Sequence, residues 1–485
     1  MKARPAPKRD THPVRRFILA STLTCLGAAL SHMAYANTAS GTYQQFCASC
    51  HGKNLDGGLG PSLIDDEWKH GADAASIAKS INKGIPTAGM PAWERVLDAN
   101  QVRALIIYIQ EEQKRAKLSK KSKASNTGGV YKSELHNFTV EKFVDLPGII
   151  WSISTLNNNT FIATIKDGRL FTITNGKAQE ITGVPKVWNH SQAGMLEVMP
   201  HPEYAKNGWI YLSYVDEISS MLSSKGMTAI VRGKIKDNKW VEEQQIFKTD
   251  ESFYLSGGVH FGSRFAFKDD YLFFSIGERG RQDDAQDLSL PNGKIHRIHS
   301  DGSIPKDNPF VNKKNAYPTI WSYGHRNTQG LAIHPVTGDL WETEHGPRGG
   351  DEVNIINPAL NYGWPVITYG MNYNGTPMDA TTHKEGMEQP LHYWVPSIAT
   401  GGIDFYQGDA FPKWQNSLLA SGMGSQELHR VSINDKHDAV TGDEILFKGL
   451  GRVRDVLSAP DGLIYVALNP NGGAPGAIYV LKPAK

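Results

Sequence analysis

The sequence predicts a small all-α domain followed by a large all-β domain, a six-bladed β-propeller. Three observations predict it. Apolar residues at helical spacing fill the stretch around residues 98–109, a turn followed by an apolar run recurs six times beyond residue 130, and 48 glycines and 26 prolines in 485 residues call for many turns. That length exceeds one ordinary domain of about 100–200 residues.

Residues 1–36 have the three parts of an export signal: basic residues ending at Arg15-Arg16, an apolar run from Phe17 to Leu30, and Ala34-Tyr35-Ala36 as a small-x-small cleavage site. The run is too short to favour a membrane span. Arg15-Arg16 also admits a twin-arginine route rather than Sec, and Leu23-Thr24-Cys25 faintly matches a lipoprotein processing site. Cleavage after Ala36 is preferred, giving a periplasmic protein with no transmembrane span. It removes six Lys/Arg and Asp10, taking the formal charge from +2 to −3, a balance that does not suggest nucleic acid. Cys47 and Cys50 then remain alone, so no disulfide framework supports the fold.

The first domain is expected at residues 37–113. Cys47-Ala48-Ser49-Cys50-His51 has the C-x-x-C-H spacing of covalent haem attachment, in which Cys47 and Cys50 bond the porphyrin and His51 ligates iron. A redox C-x-x-C pair is the alternative. Thr38–Phe46 is expected as a short helix leading into the motif, and Gly60-Pro61-Ser62-Leu63 as a loop on the histidine side. Met90, in Gly89-Met90-Pro91 and 39 residues after His51, is the expected sixth iron ligand, with core packing as the rival reading. Asp98 and Gln101 form a capping box ahead of Val102, Leu105, Ile106 and Ile109. Over these residues the segment resembles the class I cytochrome c family, which implies one-electron transfer.

Residues 114–129 hold Lys114, Arg115, Lys117, Lys120, Lys121 and Lys123 and end in Gly128-Gly129. They read as a basic flexible linker in preference to a patch for an acidic redox partner.

The propeller is expected at residues 130–485. The six copies of the turn-and-run pattern begin at Asp167, Asn207, Asp269, Thr337, Gln415 and Asp461. Unequal spacing fits loops inserted between blades, and closing a ring supplies packing that a single blade lacks. An irregular pair of β-sandwiches is the alternative. Chemistry gathers between the strands: His260 in a glycine-rich segment before a strand, Glu278 just after a strand end, and Arg326-Asn327 before another. A carboxylate beside an imidazole suits proton abstraction, although a lone histidine is more often structural. Glu344–Asn354 joins a turn to many oxygen donors, which suits Ca²⁺. Arg452 and Arg454, two apart on a strand, suit a polycarboxylated ligand.

Together these segments, with Gln192–Leu196 and Gly293–Ile295, resemble the soluble PQQ-dependent sugar dehydrogenases, and within them the aldose sugar dehydrogenase branch. The resemblance implies a quinohaemoprotein that oxidises the C1 hydroxyl of an aldose to a lactone with PQQ and Ca²⁺ and passes electrons to haem c, then to an external acceptor such as a periplasmic cytochrome. It implies His260 as general base with Gln192 and Glu278 beside it, and Arg326 as the cation at the quinone. Asn327, Arg452 and Arg454 are then PQQ contacts, and Gly346 and Pro347 backbone-carbonyl ligands of Ca²⁺. His201, His334 and Trp364 read as structural. The family's usual lysine near the cofactor is missing: Gly424 or its neighbours stand there. The rival functions are a calcium-dependent propeller hydrolase of lactonase type and a non-catalytic sugar-binding propeller attached to an electron carrier.

Overall fold

The computed structural model describes residues 37–120, 129–220, 223–472 and 475–484; the export segment read at residues 1–36 lies outside them. The chain divides near Ile109 into two units.

The first unit is helical. Helix α1 (Ala39–Phe46) is capped by Thr38, whose Oγ1 accepts the Gly41 N–H at 3.0 Å, and α2 (Ala48–His51) follows directly. Helix α3 (Ala74–Lys83) is capped by Asp73. The expected capping box opens α4 (Ala99–Lys120): the Gln101 N–H donates to Asp98 Oδ1 at 2.8 Å and the Asp98 N–H to Gln101 Oε1 at 3.0 Å, satisfying two orphan donors reciprocally. Val102, Leu105, Ile106 and Ile109 then bury one face against Tyr43, Ile77 and Ile81. Helix α4 runs on to Lys120, so residues 114–120 are helical where a linker was expected. Gln, Glu, Lys, Arg, Ala and Leu are good helix formers, and no Gly or Pro interrupts them before Gly128.

The second unit contains six antiparallel sheets, one per blade. The innermost strands are Ile150–Asn157, Met195–Pro200, Phe265–Lys268, Thr328–Ile333, Thr400–Phe405 and Arg452–Ser458. Each touches the next around a closed ring. The ring closes through the sixth blade, where Asn137–Leu146 pairs with Gly476–Pro483. Six apolar clusters fill the gaps between adjacent blades; one joins Phe138 and Val453 of the sixth to Leu419 and Leu428 of the fifth. Since both faces of each sheet pack on neighbours, strands such as Leu340–Glu344 are buried throughout rather than alternating. Five of the six sequence copies lead into the second strand of a blade. The copy at Asp167 leads into the third, Arg169–Thr174, because the second strand there, Thr160–Ile165, follows an Asn157–Asn159 turn instead.

Candidate active site

Loops at one mouth of the central channel surround a cavity of about 470 Å³. Six expected residues line it: Gln192, His260, Arg326, Asn327, Arg452 and Arg454. His260 sits between the second and third blades with its backbone in the left-handed region at φ 53°, a conformation in which histidine is among the better-tolerated residues. Two bonds hold it there, and a third fixes its partner Glu278. Its N–H donates to Gln192 Oε1 at 2.8 Å, its Nδ1 is hydrogen-bonded to Glu278 Oε1, and the Glu278 N–H donates to the Arg326 carbonyl at 2.9 Å. Gly277 is required beside it, since a Cβ there would stand 2.4 Å from the His260 carbonyl oxygen. With Nδ1 donating to the carboxylate, Nε2 is left as a lone-pair base. Burial lowers the His260 pKa, against the bond to Glu278, and the Arg326 charge lowers it further, so the ring is neutral near pH 7.

Arg326 and Asn327 precede the innermost strand of the fourth blade. Glu344 Oε2 accepts the Arg326 N–H at 2.5 Å. The Arg326 guanidinium donates to the Tyr373 hydroxyl at 3.2 Å and lies 5.2 Å from the Trp364 ring centre, while its Nε is buried without a partner among the described residues. Trp364 does not line the cavity; it is buried with Ala285, Met378 and Ala380 and supports Arg326 from behind. Asn327 Oδ1 accepts the Gly262 N–H at 3.1 Å, tying the His260 loop to this strand. Arg452 and Arg454 open the innermost strand of the sixth blade; it is irregular between Val453 and Asp455, yet both arginines reach the cavity. Burial, with Arg264 and Arg452 nearby, pushes Arg454 down to about 9, and its Nε too is buried unpartnered. The lining holds four cations, Lys166, Arg326, Arg452 and Arg454, and no Asp or Glu. Such a wall fits a polycarboxylated cofactor.

Gly346 and Pro347 do not line the cavity. They lie buried in the turn after His345, which does. The Gly346 N–H donates to Asp351 Oδ1 at 3.0 Å, and a Cβ on Gly346 would meet the Gly350 and Gly349 carbonyl oxygens at 2.3 and 2.4 Å. The clash explains why a glycine stands at 346, and the backbone carbonyls of such a turn, those of Gly346 and Pro347 included, are hard-oxygen donors of the kind Ca²⁺ takes.

In the helical unit, Cys47 and Cys50 are unbridged thiols at the start and within α2. His51 Nδ1 bonds the Pro61 carbonyl at 2.9 Å, which leaves Nε2 for a metal and places the expected Gly60–Leu63 loop beside it. Met90 is held in a tight loop by paired backbone bonds with Ile85, after Gly89 at φ 80°, and packs in the same apolar cluster as Phe46, Cys47 and Trp93. This donor set and apolar surround fit a covalent haem.

Fold and site define a dehydrogenase-type six-bladed propeller preceded by a cytochrome c domain. The chain belongs to the glucose / sorbosone dehydrogenase family, whose sequence model matches residues 145–479. The model for the cbb3-type cytochrome c oxidase subunit III matches residues 34–109. The aldose sugar dehydrogenase YliI of Escherichia coli is 38% identical over 332 residues, 67% of this chain and 88% of that protein. The quinoprotein glucose dehydrogenase B of Acinetobacter calcoaceticus is 25% identical over 401 residues, 65% of this chain and 82% of its own. The crystal structure of the soluble aldose sugar dehydrogenase from Escherichia coli in the apo form superposes with TM-score 0.66 at 36% identity, covering 72% of this chain and all of that one. The helical unit is 36% identical over 75 residues to the oxidase subunit CcoP of Azospirillum brasilense, a quarter of that protein. No described helix is long and apolar enough to cross a membrane.

Proposed function

We propose that the protein is a periplasmic quinohaemoprotein that oxidises the C1 hydroxyl of an aldose to the lactone. The observation that carries this is the cavity, in which a buried His260–Glu278 pair faces four cations and no carboxylate. The family supports it, and one relative is named a quinoprotein. Asn327, Arg452 and Arg454 would hold PQQ, and the Gly346 and Pro347 carbonyls Ca²⁺. When bound, PQQ supplies a two-electron acceptor and the haem, on Cys47, Cys50, His51 and Met90, a one-electron acceptor.

The chain's own residues do the rest. His260 Nε2 takes the C1 hydroxyl proton, and Glu278, on Nδ1, stabilises the imidazolium that results. Gln192 fixes the backbone of the base. Arg326, oriented by Tyr373 and Trp364, presents its positive charge to the cavity from the wall, where it would stabilise negative charge developing on a bound reactant. Adding an aldose to the full, haem-loaded chain with PQQ and Ca²⁺ should reduce the haem and release lactone. Absence of haem reduction, with hydrolysis of an added lactone, would instead assign a propeller hydrolase; neither activity would leave a sugar-binding propeller.

A further inference from the structure

The resemblance to the soluble sugar dehydrogenases implies a lysine in the strand-loop around Gly424, and this sequence has none there. Gly424 packs its backbone on Ile398, with the N–H donating to the Ile398 carbonyl at 2.9 Å, and its neighbour Met423 lines the cavity with a neutral thioether. On the present reading of the cofactor, Arg452 and Arg454 would then be left to face a tricarboxylated quinone from one wall. Yet a third cation stands on that wall. Lys166 opens the turn after the second strand of the first blade, Thr160–Ile165, and the closed ring brings the first blade against the sixth, where the two arginines begin their strand.

Lys166 has no hydrogen bond or ion pair to a carboxylate among the described residues, and the charge of the adjacent Asp167 only partly offsets its own. Its Nζ donates to Asn189 Oδ1 at 2.9 Å, a neutral acceptor. The adjacent Asp167 is engaged by Arg169 at 2.6 Å. Burial and then the charge of Arg454 lower the Lys166 pKa, against the charge of Asp167, which raises it. The backbone fixes the residue: its N–H donates to the Ile149 carbonyl and its carbonyl accepts the Met195 N–H, each at 2.9 Å. Trp151, also lining the cavity, carries the Arg454 guanidinium 4.9 Å from its ring centre. Three cations beside an aromatic floor, with no acid among them, await an aromatic polyanion.

We propose that Lys166 is a cofactor-anchoring residue, which pairs with a carboxylate of the bound quinone and takes over the charge missing at Gly424. The proposal rests on the PQQ reading above, and the test separates the two. The full, haem-loaded chain, free of PQQ, is titrated with PQQ at saturating Ca²⁺ by equilibrium dialysis. Loss of one charged hydrogen bond should weaken binding of Lys166→Gln by about tenfold or more, while Lys166→Arg stays within roughly threefold of the wild type. Added salt should weaken wild-type binding more steeply than binding by Lys166→Gln. Lys166→Met, which keeps the aliphatic stem, serves if Lys166→Gln melts early. Wild type and variants binding PQQ equally would overturn the role of Lys166 alone. A wild type that takes up no PQQ would overturn the cofactor reading and this proposal together.

Discussion

Glu278 holds Nδ1 of His260 with one carboxylate oxygen, and its second oxygen, Oε2, is buried with no partner among the described residues. The pair is thus directed one way. The charge of the adjacent Arg279 also interacts with this carboxylate, but among the described residues its side-chain hydrogen bond goes to the imidazole, and Nε2 is the nitrogen left for the cavity.

His260→Gln should lower kcat for aldose oxidation by about 10²–10⁴-fold with PQQ binding retained, because a positioned base contributes that much. Turnover of the reconstituted variant checks it. The base works unprotonated and its pKa is lowered, so kcat/KM should be flat above the usual imidazole range and fall as pH drops through the shifted value. Glu278→Gln removes the contacts that raise that pKa. Its acid limb should move to still lower pH, with a smaller loss of rate than His260→Gln.

Asp404 gives a stability prediction with a definite sign. Burial pushes its carboxyl up to about 7, against the Ser458 N–H that donates to Oδ2 at 2.8 Å. The folded state therefore holds the proton more tightly than the unfolded chain. Stability falls as pH rises from about 4 to 7, and the loss is complete above the folded value. Asp404→Asn keeps an oxygen for Ser458 and should stabilise the protein at pH 8 by about 1–4 kcal/mol while changing little at pH 4, as read by denaturant unfolding.

Met90→Ala should leave the haem attached but change its axial ligation and lower its potential, since a thioether sixth ligand raises it. The reduced spectrum and a redox titration read both effects. Unaltered ligation would return Met90 to the packing role that its apolar neighbours also allow.

Because haem domain and propeller share one chain, transfer between them is intramolecular, at an effective concentration that reaches about millimolar for short linkers able to span the sites. Sugar-driven haem reduction should then be first order, with a rate constant independent of protein concentration at saturating PQQ and Ca²⁺. Cys50→Ser should still reduce an artificial dye but lose transfer to an external cytochrome. A rate constant proportional to protein concentration would place the transfer between molecules.

The six blades were legible because each repeats a turn and an apolar run, while the sheet edges were not: at Asp167 the same pattern marks a different strand. The convergence of Gln192, His260, Arg326, Asn327, Arg452 and Arg454 on one cavity was legible through motifs, although they come from separate blades. Lys166 was not. A lysine ahead of Asp-Gly looks like a solvated turn, and only closure of the ring sets it beside Arg454. The helical continuation to Lys120 was hidden by its charge, which suits a solvated helix as well as a coil.

The pairing of Asn137–Leu146 with Gly476–Pro483 joins segments some 340 residues apart in the chain. During synthesis the haem segment is complete early, whereas the ring cannot shut until nearly the last residue has emerged. At about 5–20 residues per second that wait lasts tens of seconds. Throughout it the apolar flank of the first blade has only Asn137–Leu146 of the sixth blade to cover it, without Tyr465, Ala467, Ile478 and Val480, so the unfinished chain is exposed to aggregation. A truncation before Gly476 would make that exposed intermediate permanent, which makes the C-terminus the clasp of the whole ring.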